Sequence, residues 1–171
     1  MLYRYVQDSL QTKIETVIVG HSHSDCMGGL EFLHNMGVKS ICGEKTRQIC
    51  KSENLPVPIK SFRDSLMFNF EDEKVECRYF GGGHSIDNIV VQFPDSKIMF
   101  GGCLIKSLAS KGLGNIAEAD IDHWENTVEK VNAMWPSMRL VIPGHGAAGD
   151  VQLLDHTINL VKQYQAGKNS K

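Results

Sequence analysis

Along the first third of the chain, apolar positions recur at two different periods. In residues 2–13, "LYRYVQDSLQTK", Leu2, Tyr5, Val6 and Leu10 fall on one face at helical spacing, and "IETVIVG" then reads as a buried strand ending at Gly20. From Asp25 the run "DCMGGLEFLHNMG" returns to helical spacing through Leu30, Leu33 and His34, with Gly37 as its stop. A short strand "KSICG" and a helix "EKTRQICKSEN" follow, and the two prolines of "LPVPIK" end the helical pattern.

Beyond the prolines the period shortens. "DSLMFNF", "KVECRYF", "NIVVQF" and "KIMFGG" are β-rich runs separated by "EDE", "GGGHSID" and "PDS", which predicts four strands of an antiparallel meander. In "AEADIDHWENTVEKVNAMWP", Ile121, Trp124, Val128, Val131 and Trp135 form one helical stripe that reads as core. A buried strand "RLVIPG" and an amphipathic helix around "DVQLLDHTINLVKQY" complete the chain. The order αβαβα, four strands, then αβα predicts a layered α/β (α+β) protein with a mixed sheet.

Length and composition narrow the classes. The 171 residues suit a single domain, 1–171, with a sizeable core. With 18 basic against 20 acidic residues, and no basic cluster beyond the "GKNSK" tail, there is no electrostatic reason to expect nucleic acid or a membrane surface as partner. A small molecule fits better. The longest apolar stretches are too short to span a bilayer and "MLYRYVQDSLQTK" has no apolar signal core, so the chain reads as soluble without an export signal. Five cysteines without CxxC spacing suggest neither a disulfide framework nor a zinc knuckle. Of these, Cys42, Cys50 and Cys77 lie within apolar segments and read as small core residues.

The candidate chemistry sits in glycine-rich turns after apolar strands. "GHSHSDC" places His21, His23 and Asp25 two apart directly after "TVIV", a spacing that suits one half of a metal site, with a solvated polar turn as the lesser alternative. "GGGHSIDN" presents His84, "FGGC" presents Cys103 and "IPGHG" presents His145, each with one metal-competent side chain behind glycine. If these strand ends converge, His21, His23, His84, Asp25, Cys103 and His145 are too many ligands for one tetrahedral zinc but suit two zincs sharing a water. His34, His123 and His156, on or beside helical patterns, read as surface or half-buried histidines, and Cys26 reads as a neighbour of the site rather than a ligand.

Taken together, "HSHSDC", "GGGH", "GGC" and "PGHG" resemble the metallo-β-lactamase superfamily, over about residues 2–165. Most of its hydrolases carry HxHxDH and a bridging aspartate; Cys26 and Cys103 stand at those two places here, which resembles instead the broad-spectrum zinc β-lactamases. The resemblance implies an αβ/βα sandwich and two Zn(2+) per chain. The first would be held by His21, His23 and His84, the second by Asp25, Cys103 and His145. It implies hydrolysis of the β-lactam amide bond of penicillins, cephalosporins and carbapenems by a zinc-bound hydroxide, antibiotic resistance and a periplasmic location. Lys106 and Asn115 match family residues that hold the substrate carboxylate and orient the lactam carbonyl, and Asp25 would also orient the water. Without the resemblance, Lys106 is a loop lysine and "SLASKGLGN" a flexible linker.

The family's chains begin with several strands ahead of the first helix, and residue 1 falls at what resembles that helix. This predicts a domain incomplete at its N-terminus, lacking the hairpin that covers substrate, either as a fragment or as a short form completed by dimerisation. An uncovered sheet would favour self-association or poor stability. Two other readings stand beside the β-lactamase: a superfamily hydrolase of another ester, thioester or lactone, and an inactive zinc-binding fragment.

Overall fold

Residues 2–169 are described by the computed structural model, and they fall into two units, Met1–Phe62 and Arg63–Lys171. The first unit is built on three parallel strands in the order β1 (Thr16–Val19), β2 (Lys39–Gly43) and β3 (Lys60–Phe62). Parallel neighbours need a crossover between them, and the helices supply it. α2 (Ser24–Met27) and α3 (Leu30–Asn35) lie between β1 and β2, and α4 (Glu44–Ser52) lies between β2 and β3. Val19, Met27, Leu30, Cys42 and Cys50 form the core of this unit.

The single helix expected from Asp25 is two helices, because Gly28 closes α2 on Ser24 and Gly29 opens α3. Gly37 stops α3 as expected. At a φ of +79° it donates its N–H to the His34 carbonyl while Val38 donates to Leu33, the paired closure of a Schellman motif.

The stripe expected over residues 2–13 is a correction. α1 covers only Leu2–Arg4 and passes into a π-helical turn, Tyr5–Ser9, closed by Leu10 N–H on the Tyr5 carbonyl. Bonding five residues apart breaks the i, i+4 alignment on which the stripe depends. Leu2, Tyr5 and Leu10 are exposed. The strand β3 has no counterpart among the expected elements; it is placed by pairing Ile41 with Lys60 and Gly43 with Phe62.

The second unit carries the expected meander. β4 (Ser65–Phe70), β5 (Glu73–Arg78), β6 (Val90–Phe93) and β7 (Ile98–Gly102) are antiparallel in sequence order, and β8 (Leu140–Pro143) adds itself parallel to β7. The sheet is therefore mixed. α5 (Ile121–Met134) and α6 (Gln152–Asn169) pack Trp124, Val128, Val131, Leu153, Leu154 and Val161 against Val90, Met99 and Val141. Burying apolar area of this kind stabilises by about 25 cal/mol per Å².

Two polar side chains sit on the buried part of that sheet. Gln92 donates to Glu76 Oε2 at 2.6 Å and Arg78 Nε donates to Oε1 at 2.8 Å, so both carboxylate oxygens are satisfied. On the neighbouring position of β5, burial pushes the Cys77 thiol up to about 12, helped by the negative charge of Glu76. Cys42, Cys50 and Cys77 are all fully buried, as core residues should be.

Candidate metal centre

In the first unit, β1 ends at Val19 and the chain bends through buried Gly20 into His21. His23 caps the N-terminus of α2 with extended backbone (ψ 158°), which brings Asp25 and Cys26 round the first turn of the helix towards His21. The His21 and His23 rings stand edge to face with centroids 4.6 Å apart, so the two imidazoles share one side of the turn as their spacing predicts.

The two nitrogens of the buried His21 ring face different groups. Nε2 is 3.4 Å from Asp25 Oδ1, and Nδ1 is 3.1 Å from Cys26 Sγ. Donor atoms of His21, Asp25 and Cys26 all lie within 4.8 Å of one another. Cys26, read from the sequence as a bystander, is thus in contact with the histidine that opens the motif.

In the second unit, the glycines before His84 are held by α5. Thr127 Oγ1 donates to the Gly82 carbonyl at 2.6 Å, and Asp120 N–H donates to the Gly83 carbonyl at 2.8 Å. Asn88 Nδ2 reaches the Gly81 carbonyl at 3.1 Å while Asn88 Oδ1 accepts from Ser85 N–H. A Cβ at Gly83 would collide with Leu104 and come within 3.0 Å of the Trp124 ring, so this loop needs glycine for close approach. His84 itself is buried, its ring edge-on to Trp124 at 6.0 Å.

Cys103 and His145 arrive from the adjacent parallel strands β7 and β8. Gly144 N–H donates to the Gly102 carbonyl at 2.7 Å, and a Cβ on Gly144 would stand 2.5 Å from Cys103 Sγ. That approach leaves Cys103 Sγ 3.5 Å from His145 Nε2. The pair opens onto a cavity of about 270 Å³ that Lys106, Ser110, Gly112 and Gly114 also line. Lys106 Nζ lies over the Trp124 ring, 5.2 Å from its centroid, and its backbone N–H is held by Thr157 Oγ1.

Asn115 lies on the exposed loop next to Gly114, outside the residues that line the cavity. Its side-chain oxygen accepts Ala117 N–H at 3.1 Å, which leaves the amide nitrogen as the group it can offer. The histidines set aside on sequence have partners of their own: Ser40 for His34, Asp120 for His123 and the Ser110 carbonyl for His156.

Each unit therefore gathers imidazole, carboxylate or thiol donors at strand ends, several of them buried, and these are the donor types zinc takes. The donors fit a metal ion. A layered α/β fold with such sets at its strand ends defines a candidate metal-binding scaffold.

No protein-family model matches the chain. Among curated proteins, it is 44% identical over 164 residues to the "metallo-beta-lactamase type 2" of Bacteroides fragilis, covering 96% of this chain and 66% of that protein. It is 37% identical over 161 residues to the protein of the same name from Bacillus cereus, covering 94% and 63%. A solved metallo-β-lactamase from Pontibacter korlensis superposes with a TM-score of 0.91 at 34% identity, covering 94% of this chain and 75% of that one. The chain belongs to the metallo-β-lactamase family, and it spans just under two thirds of the length of the curated relatives it matches. Among the described residues, no helix is long and apolar enough to cross a membrane.

Proposed function

We propose that the protein hydrolyses the β-lactam amide bond of penicillins, cephalosporins and carbapenems with two zinc ions. His21, His23 and His84 would hold one, and Asp25, Cys103 and His145 the other. The observation that carries the reading is the cavity where Cys103 and His145 meet beside the Lys106 ammonium, since β-lactam antibiotics share a carboxylate next to the reacting amide. A cysteine in that place also disfavours ester and thioester hydrolysis, where the superfamily keeps a bridging aspartate.

When bound, zinc acidifies a water to a pKa of about 7 and polarises the carbonyl. The chain's residues supply the rest. Lys106 pairs with the substrate carboxylate and fixes the ring over the donors. The Asn115 amide donates towards the lactam oxygen, where negative charge grows as water adds to the carbonyl carbon. Asp25 accepts a hydrogen bond from that water and so orients it. The C–N bond then breaks, and the nitrogen ends as a protonated amine.

This activity gives β-lactam resistance to a cell that holds the protein in its periplasm, where the antibiotics meet their targets. A substrate panel tests the reading. The zinc-loaded protein should open a penicillin, a cephalosporin and a carbapenem and leave simple esters, thioesters and lactones intact; ester or thioester turnover without β-lactam turnover would overturn it.

A further inference from the structure

Trp124 is fully buried on the core stripe of α5, which by itself explains an aromatic residue there. Its contacts go further than packing requires. The indole Nε1 donates to the Leu104 carbonyl at 2.9 Å, one residue beyond Cys103. The ring makes an edge-to-face contact with the His84 ring, and the Gly83 backbone lies so close that a Cβ there would touch the indole. The ring also carries the Lys106 ammonium, 5.2 Å from its centroid, on the wall of the cavity. One rigid side chain thus touches the loops bearing His84 and Cys103 and the cation beside them.

We propose that Trp124 is a positioning residue that fixes the Lys106 ammonium at a set place relative to His84 and Cys103, so that a substrate carboxylate is drawn to one position over the reacting centre. The inference rests on the β-lactam reading for what Lys106 binds. A lysine has four rotatable bonds and a strongly hydrated head, and a loop lysine would spread its charge over many positions. An ammonium within about 6 Å of an indole centroid is held by the ring's negative face, most strongly where water is partly excluded. Indole serves better than a phenyl ring here, because it binds cations more strongly and its N–H ties the ring to the Cys103 loop.

Two measurements test this. In the unmodified protein, NMR should show the Lys106 ε-methylene protons shifted upfield of the other lysines by the indole ring current, and Trp124→Phe should reduce the shift. In zinc-loaded protein, Trp124→Phe should raise KM about three- to tenfold for a cephalosporin with its free carboxylate, the size of a lost cation contact. It should leave kcat, and both constants for the methyl ester of the same cephalosporin, nearly unchanged. Trp124→Leu should do more where it folds. An ordinary Lys106 shift, or equal effects on acid and ester, overturns the proposal. Failure of the wild type to open either compound overturns the hydrolase reading instead, and the ring-current shift still decides whether Trp124 holds Lys106.

Discussion

Cys103 Sγ stands 3.5 Å from His145 Nε2, although 42 residues separate them. Parallel pairing of β7 with β8 puts the two strand ends side by side, and the glycines before each residue let the turns touch. If the pair holds an ion, Cys103→Ser should bind one zinc fewer per chain by elemental analysis after dialysis, with thermal stability of the apoprotein unchanged. Undiminished zinc content would remove Cys103 from the ligands.

The Gly144 approach is tight enough to be tested by a single methyl group. Gly144→Ala would place a Cβ 2.5 Å from Cys103 Sγ and 2.7 Å from its backbone nitrogen, which cannot yield without moving β7. Overpacking of this kind costs roughly 1–3 kcal/mol. A urea midpoint equal to that of the wild type would show that the turn relaxes freely.

Cys26 supports His21 from its outer side. Sγ lies 3.1 Å from Nδ1, and in the tautomer that carries its proton on Nδ1 the ring donates to sulfur and keeps Nε2, 3.4 Å from Asp25 Oδ1, for a metal. Partners of this type are worth roughly 10–100-fold in metal affinity. Competition against a chromophoric chelator should find zinc bound more weakly by Cys26→Ala than by the wild type, with Cys26→Ser between them. Equal affinities for all three would leave Cys26 without influence on the histidine.

Cys77 makes a prediction about pH. Its thiol is raised from 9.0 to about 12 in the folded chain, first by burial and then by Glu76. An unfolded chain therefore ionises this thiol while the folded one still keeps it neutral. The stability linked to this group is fully present below pH 9 and is lost as pH rises from 9 towards 12. Urea unfolding at pH 8 to 11 should show a steeper fall for the wild type than for Cys77→Ala; parallel curves would refute the shift.

Much of this was legible from residue types and spacing. The meander of β4 to β7 follows from short β-rich runs broken by turn residues, and α5 from the stripe of Trp124, Val128 and Val131. Histidine and cysteine behind paired glycines stood out because few structural needs put them there. Contacts made only by tertiary neighbours were hidden. β3 exists through its pairing with β2, and two of its three residues are polar, so no apolar run announced it. The Leu2, Tyr5 and Leu10 stripe was lost to a π turn that no spacing signalled. Trp124 read as core, which it is; its hold on Lys106 and Leu104 depends on loops 18 to 20 residues earlier in the chain.

The most direct test of the central claim is hydrolysis of a chromogenic cephalosporin by the purified chain, followed with and without a chelator. A zinc-dependent β-lactam hydrolase opens the ring, stops on chelation and resumes when zinc is restored. Turnover untouched by the chelator, or none with zinc fully bound, would contradict the claim.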